Sequence, residues 1–146
     1  THASWSDFRI IRAQLSGASL DDPTTTTKGR TIPYAVFATP ELARIGLSEG
    51  EAREAGLDVR IAKVPTAAIP RAKTLRYAGE GFWKAVVDAN THQILGATLI
   101  GPNVSEVITA VQLAMAGGLT YEQLRFLPVA HPTMTEGLQV LFDSLG

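Results

Sequence analysis

Two apolar segments joined by only five residues constrain the fold more than any other part of this sequence. Residues 82–88 and 94–100 both have the apolar and β-branched character of strands. Asn90-Thr91-His92 lies between them and has the polar composition of a turn. So short a connection joins antiparallel neighbours, because a parallel pair needs a crossover of roughly a dozen residues or more. The sequence therefore predicts a β-hairpin at residues 82–100.

Other strand and helix signals place this hairpin in an α+β domain. Residues 34–38 and 42–47 are short apolar segments, and from Leu57 apolar and charged residues alternate as in a half-buried strand. The strongest helix follows the hairpin and ends at Gly117-Gly118. Its apolar stripe has helical spacing and consists of Val104, Val107, Ile108, Val111, Ala114 and Met115. We therefore expect an antiparallel sheet of about four to five strands packed against helices.

The first 29 residues differ from the rest of the chain. Residues 1–16 have the spacing of a short amphipathic helix, with Ser4 or Ser6 as its cap. Residues 17–29 show no periodicity and are rich in threonine, which predicts a mobile linker. The compact domain is therefore predicted to begin at residue 30 and to extend to residue 146.

Capping patterns and a basic cluster mark the connections within this domain. Ser48 followed by Glu51 predicts the start of one helix, and Thr120 predicts the start of another. Residues 65–81 are the least regular part and are predicted as a loop. Its basic cluster consists of Arg71, Lys73 and Arg76. The cluster is either a solvated surface or a contact for an anionic substrate or another domain.

Composition excludes several classes of function. The net charge of −1 gives no basic footprint for nucleic acid, and no apolar run approaches the length of a membrane span. The N-terminus lacks the pattern of a secretory signal, so we expect a cytoplasmic protein. Cysteine is absent, which excludes a disulfide scaffold or a thiol nucleophile in this chain, and no acidic or histidine cluster has metal-ligand spacing. His92, at the tip of the hairpin, is expected to be exposed and without a role.

The polar segment with the most chemical content is His131-Pro-Thr-Met-Thr-Glu136. Pro132 disfavours the α region at the preceding residue, so His131 is expected on extended chain outside a helix. Thr133 and Glu136 fit a capping box, which makes Thr133 the predicted N-cap of a helix that runs through residues 137–144. Glu136 either only caps this helix or also orients His131 as a general acid/base. Both are possible at once, because a carboxylate has two oxygens.

Three segments resemble one enzyme family. HPTMTE is similar to the HPT-x-x-E signature near the C-terminus of the flavin-dependent disulfide oxidoreductases, which include dihydrolipoamide dehydrogenase, glutathione reductase and mercuric reductase. Residues 37–49 resemble the segment that opens the C-terminal interface domain of that family. Residues 94–101 resemble the strand that precedes its long interface helix. The three occur in family order, and together they span roughly residues 31–146.

The resemblance implies that residues 30–146 are the dimerisation domain of a larger homodimeric enzyme. Residues 1–29 would be the last helix of the preceding flavin domain and a linker. FAD and NAD(P)H would be bound by domains outside this sequence, and we expect no cofactor on this chain alone. The redox cysteine pair would also lie in the flavin domain. The isolated chain is therefore expected to be inactive.

The resemblance also implies roles for individual residues. His131 would be the acid/base, with Glu136 as its orienter, and it would act on the redox disulfide of the other subunit. The backbone of His131 and Pro132 is expected near the partner's flavin. Residues expected at the dimer interface are Val104, Val107, Ile108, Val111, Met115 and Leu138. Val129 stands where dihydrolipoamide dehydrogenases usually carry a second histidine, so the branch and the substrate stay open.

One hypothesis of another class stands beside the enzyme. Residues 34–146 are long enough to form a freestanding, non-catalytic α+β dimerisation or binding module, with the stripe that begins at Val104 as its contact surface. The absence of cysteine, of a dinucleotide-binding glycine motif and of a metal site favours such a module. The ordered family segments favour the enzyme.

Overall fold

The structure, a computed structural model, describes residues 1–19 and 21–146 and divides them into two compact units, residues 1–32 and 33–146. The helices are α1 His2–Leu15, α2 Glu49–Glu54, α3 Pro70–Thr74, α4 Val104–Ala116, α5 Tyr121–Phe126 and α6 Gly137–Asp143. The strands are β1 Tyr34–Val36, β2 Glu41–Gly46, β3 Val59–Pro65, β4 Phe82–Asp88 and β5 Ile94–Gly101. Short 3-10 turns occur at Pro23–Thr25 and Thr66–Ala68.

The strands of the second unit form a five-stranded sheet in the order β1-β2-β5-β4-β3. Each neighbouring pair is antiparallel. The predicted hairpin is confirmed as β4 and β5, which pair from Trp83 opposite Leu99 to Val87 opposite Ile94. Its tip is closed by the Asp88 carboxylate, which accepts hydrogen bonds from the backbone N–H groups of Asn90 and Thr91. The predicted α+β class and the sheet are therefore confirmed.

One face of the sheet forms the floor of the hydrophobic core. Side chains alternate across a strand, so residues that are directly paired on neighbouring strands share a face. The buried side chains of this face are Ala43, Ile45, Ala62, Val64, Trp83, Ala85, Val87, Ala97 and Leu99. Helix α4 packs on β2 and β5, whereas α6 packs on β3 and β4 and also contacts α5. The predicted stripe of α4 supplies the buried side chains that face the sheet.

The opposite face carries a layer of ion pairs with α2. Ser48 and Glu51 form the predicted capping box, in which the Ser48 hydroxyl accepts from the Glu51 N–H and the Glu51 carboxylate accepts from the Ser48 N–H. Arg44 of β2 also binds Glu51. Lys84 of β4 lies 2.9 Å from Glu49, and this hydrogen bond holds the pKa of Glu49 below its ordinary value. Charged side chains thus join α2 to β2 and β4.

The N-terminal unit is more ordered than its sequence predicts. Helix α1 begins after Thr1 and not after Ser4 or Ser6, because neither glycine nor proline interrupts the residues before those serines. The Gln14 side chain of α1 donates to the carbonyl of Thr25 in the predicted linker at 2.9 Å, which joins the turn at Pro23–Thr25 to the helix. Leu20, also in the predicted linker, lies outside the described residues.

The loop predicted at residues 65–81 contains a helix, α3, and that prediction was wrong. Pro70 stands at the first helical position, where its fixed φ suits a helix and its missing N–H costs nothing. Ile69 and Ala72 are buried in the core and hold the segment down. The Arg71 and Lys73 cations lie in the last turn, where they interact favourably with the helix dipole. Strand β1 is shorter than predicted and ends at Val36.

We expect Leu141→Ala to lower the free energy of unfolding by about 2–5 kcal/mol, because it leaves a cavity between α6 and the sheet. Leu141 is 0% exposed in the core cluster, whereas Leu113 on α4 is 68% exposed. Leu113→Ala is therefore the matched control, with an expected change within about 0.5 kcal/mol. Urea unfolding of both variants measures the difference. Equal losses in the two variants would contradict the placement of the core.

Candidate functional site

The connection between α5 and α6 carries the predicted histidine, and both of its ends are fixed. Thr120 and Gln123 form a capping box that starts α5, as the sequence predicts for Thr120. The Gln139 side chain on α6 donates to the carbonyl of Leu127 at 2.5 Å, which occupies a carbonyl left open at the end of α5. Arg125 of α5 also lies 2.7 Å from Asp143 of α6. These contacts clamp the two helices together and limit the movement of the connection between them.

Within this connection, the structure brings His131 and Glu136 together. Nδ1 of His131 lies 2.9 Å from one oxygen of the Glu136 carboxylate and 3.0 Å from the other. The carboxylate can only accept, so Nδ1 carries the proton of this hydrogen bond. The histidine side chain is 67% exposed, whereas the glutamate side chain is 17% exposed. A partly buried carboxylate thus holds an exposed ring whose other nitrogen, Nε2, is available to another molecule.

The predicted capping box at Thr133 is only half formed. The Thr133 hydroxyl accepts from the backbone N–H of Glu136 at 3.2 Å and donates to the Ala130 carbonyl at 2.8 Å. The Glu136 carboxylate does not return to the backbone of Thr133, because both of its oxygens face His131. Residues 133–136 consequently form a separate turn, and α6 begins at Gly137 with Glu136 as its N-cap. The predicted N-cap position was therefore wrong by three residues.

His131 precedes a cis peptide bond to Pro132, and both residues are exposed at the surface. The chain turns inward directly after them, since Met134 is 5% exposed and belongs to the core cluster. Leu138 and Leu141 continue this buried face along α6. The polar pair therefore stands on an apolar base that belongs to the main core.

The six residues predicted at a dimer interface are buried or partly buried within this chain. Val104, Val107, Ile108 and Val111 of α4 are 0–3% exposed, and Leu138 of α6 is 3% exposed. Met115 is partly buried and packs against the same core. These side chains belong to the core of their own chain, and their place at a dimer interface stays a prediction. On α4 the large apolar side chain at the surface is Leu113.

A family model with the description "Pyridine nucleotide-disulphide oxidoreductase, dimerisation domain" matches residues 32–141. The chain belongs to this family. The match covers the second unit of the structure up to residue 141, including the sheet, α4 and the pair formed by His131 and Glu136. The resemblance found in the sequence is therefore confirmed.

Curated relatives of this dimerisation domain are oxidoreductases. A protein named "Probable pyridine nucleotide-disulfide oxidoreductase RclA", from Escherichia coli (strain K12), is 40% identical over 143 residues, which are 98% of this chain and 32% of that protein. A dihydrolipoyl dehydrogenase from Thermus scotoductus is 41% identical over 114 residues, 78% of this chain and 24% of that protein. A mercuric reductase from Staphylococcus aureus is 38% identical over 111 residues, 76% of this chain and 20% of that protein. The chain spans about a third or less of the length of these relatives.

Solved structures agree with the fold of the domain. A structure described as the Cu(II) complex of an HOCl-induced flavoprotein disulfide reductase, RclA from Escherichia coli, matches with a TM-score of 0.84 at 40% identity, covering 96% of this chain and 31% of that one. LpdA from Mycobacterium tuberculosis matches with a TM-score of 0.80 at 22% identity, covering 94% of this chain and 29% of that one, and supports the fold alone.

A second histidine of the domain also binds a carboxylate, which sequence reasoning missed. Nδ1 of His92 lies 2.5 Å from Glu122, and the ring packs against Tyr121. The backbone carbonyl of His92 also accepts from the Tyr121 N–H at 3.0 Å. His92 therefore joins the hairpin tip to α5, and the expectation that it has no functional role stays a prediction. No spacing in the sequence indicates this contact, since the partners are thirty residues apart and meet only through the fold.

The described residues contain no group of three or more histidine, cysteine and acidic side chains that could hold a metal ion. In the same part of the chain, none of the helices has both the length and the apolar character to cross a membrane. In the basic cluster, Arg71 donates to the hydroxyl of Thr74 at 3.2 Å, while Lys73 and Arg76 are exposed. A contact for this cluster stays a prediction.

Proposed function

We propose that this chain is the C-terminal dimerisation domain of a longer, flavin-dependent disulfide oxidoreductase and supplies an acid/base pair to its redox-disulfide site. The observation that carries the proposal is the contact of His131 Nδ1 with both oxygens of Glu136, on a ring that is 67% exposed. A base whose second nitrogen is held by a carboxylate is the arrangement used to move a proton to or from a reacting group. Family membership names the reaction in which such a proton transfer is needed.

In thiol–disulfide exchange, the pair would act at two points. Nε2 of His131 first accepts the proton of an attacking thiol, and the resulting thiolate forms a bond to one sulfur of the disulfide. The S–S bond breaks, and the leaving thiolate takes a proton from the imidazolium. Glu136 keeps the proton on Nδ1 in the neutral form and stabilises the positive charge after Nε2 is protonated. The exposure of the ring suits this task, because the reacting sulfurs come from another molecule or another subunit.

The remaining parts of such an enzyme would come from outside this chain. The sequence contains no Gly-x-Gly-x-x-Gly motif, and His131 and Pro132 are both exposed. These residues fit a surface contact beside a flavin that another subunit binds. When bound, FAD would supply the transfer of electrons from NAD(P)H to the disulfide. The complete site would thus require a homodimer, and this chain alone would be inactive and free of cofactor.

The N-terminal unit fits the end of a preceding flavin domain. Helix α1 exposes four large apolar side chains, which are Trp5, Phe8, Ile11 and Leu15. An exposed row of this kind is typical of a helix that has lost its neighbours. We assign residues 1–29 to that domain and its linker, and residues 30–146 to the dimerisation domain. A cytoplasmic enzyme remains our expectation.

In the full-length enzyme, His131→Gln is expected to slow disulfide reduction by about 10²–10⁴-fold, the usual contribution of a general acid/base. Reduction of the flavin by the nicotinamide should change little, since that half-reaction does not involve thiol protons. Stopped-flow absorbance separates the two half-reactions. His92→Gln is the matched control, because it removes the other histidine–carboxylate contact of the same domain. Equal loss in both half-reactions would contradict the acid/base role.

Glu136→Gln is expected to slow disulfide reduction by about tenfold, less than the loss of the histidine. The amide oxygen can still accept from Nδ1, but a charge-assisted hydrogen bond contributes on the order of 1 kcal/mol more than a neutral one. The same half-reaction measurement tests this, with Glu122→Gln as control. A variant with lower thermal stability and an unchanged rate would favour a purely structural role for Glu136.

The competing function is a freestanding, non-catalytic α+β dimerisation or binding module. The chain mass and visible spectrum of the native protein, captured by an antibody to this domain, distinguish the two. We expect a chain about three times as long as this one, because the relative that covers 98% of this chain is matched over 32% of its own length, and we expect a flavin spectrum. A colourless protein of 146 residues would overturn the enzyme proposal and leave the module.

A further inference from the structure

Gly137, the first residue of α6, lies directly against Trp83 of the central sheet. A Cβ atom at this position would come within 2.6 Å of Cζ3 and 2.8 Å of Cη2 of the indole, and within 2.8 Å of Cδ1 of Ile69. Real Cβ atoms do not approach other carbon atoms this closely, so a side chain at residue 137 would displace one of its neighbours. The first turn of α6 therefore rests on Trp83 as closely as the backbone permits.

Of the two neighbours, Trp83 is the one that cannot move aside. Cδ1 of Ile69 is the end of a flexible side chain and can rotate away. Trp83 is fully buried in the core, and its strand is paired on both sides, with β3 and with β5. Its Nε1 is the buried side-chain polar atom that lacks a hydrogen-bond partner among the described residues. Trp83 thus places an indole here, although its buried N–H has no acceptor and a phenylalanine would bury no such donor.

A displacement of Gly137 would also displace the candidate site. Glu136 is the next residue toward the N-terminus, and Gly137 itself is held by a 2.8 Å hydrogen bond from its N–H to the Met134 carbonyl. The turn that contains Glu136 therefore moves with Gly137. Both carboxylate oxygens lie within 3.0 Å of His131 Nδ1, so a displacement of a few tenths of an ångström already weakens this contact.

We propose that Trp83 is a positioning residue for the pair formed by His131 and Glu136, and that it acts through the close contact of its Cζ3–Cη2 edge with Gly137. This rests on the proposed function for its relevance to catalysis, but the geometric statement can be tested without turnover. Trp83 fixes the height of Gly137 above the sheet, and Gly137 fixes the carboxylate that orients the imidazole. Phenylalanine would fill the same part of the core without reaching the glycine.

The test uses this 146-residue chain with ¹⁵N-labelled histidine, at about pH 8.5, well above the ordinary pKa of a free imidazole. The ¹⁵N shifts of the two ring nitrogens report which of them carries the proton. The chain has three histidines, so the His131→Gln variant assigns the signal and His2 and His92 serve as internal references. The variants are Gly137→Ala, Trp83→Phe with Gly137→Ala, and Gly50→Ala. Gly50 is a helical glycine whose nearest neighbour to an added Cβ is 3.9 Å away.

In the parent chain we expect the Nδ1–H form of His131 to dominate. Gly137→Ala should shift the tautomer ratio of His131 alone toward Nε2–H by about fivefold, the effect of losing one hydrogen bond. The double variant should restore the ratio, because the new methyl group occupies the space that Cζ3 and Cη2 leave. Gly50→Ala should leave the ratio unchanged.

An unchanged ratio in a folded Gly137→Ala variant would overturn the proposal. If Gly137→Ala fails to fold, the double variant decides: a folded chain with the Nδ1–H form supports the positioning role, and any other result overturns it. Failure here leaves the acid/base function standing, since that function is read from the half-reactions of the full-length enzyme. If His131→Gln did not slow disulfide reduction, the acid/base function would be overturned, and the tautomer result would still stand.

Discussion

The antiparallel pairing of β4 with β5 is the interaction on which the rest of this structure depends. Both are inner strands of the sheet, and each pairs with a further strand, β4 with β3 and β5 with β2. Their shared buried face holds Trp83, Ala85, Ala97 and Leu99, on which α4 and α6 pack. The tip of the same hairpin contacts α5 through His92. Every element that borders the candidate site therefore takes its place from these two strands.

Local patterns were sufficient for most of this framework. The short connection of the hairpin, the stripe of α4 and the capping boxes at Ser48 and Thr120 each depend on residues that are close in sequence. Helix α3 was missed because it is stabilised by tertiary contacts, through the burial of Ile69 and Ala72 in the core. A segment with prolines in its first part and glycines near its end gives no periodic signal of such burial.

The site was predictable in its residues but not in its local geometry. The six-residue segment from His131 to Glu136 indicated both partners, since residues so close in sequence can meet without help from the fold. The sequence does not determine whether the Glu136 carboxylate accepts from the His131 ring or from the backbone N–H of Thr133, and a capping box predicts the latter. The contact between His92 and Glu122 shows the opposite case, in which tertiary structure alone creates the pair. The contact of Gly137 with Trp83 is of the same kind, because the two residues are far apart in sequence and no local pattern predicts that they meet.

The two-oxygen contact of Glu136 also has a consequence for entropy. A free imidazole rotates about two side-chain bonds and exchanges its proton between two nitrogens, so a molecule that meets it must first select one arrangement. Here the carboxylate restricts both choices, and helices clamped by Gln139 and Arg125 limit the backbone beneath them. The conformational entropy of the ring is therefore lost when the chain folds and not when an encounter occurs. An approaching molecule meets one orientation of one nitrogen, and its affinity is not reduced by a search among the others.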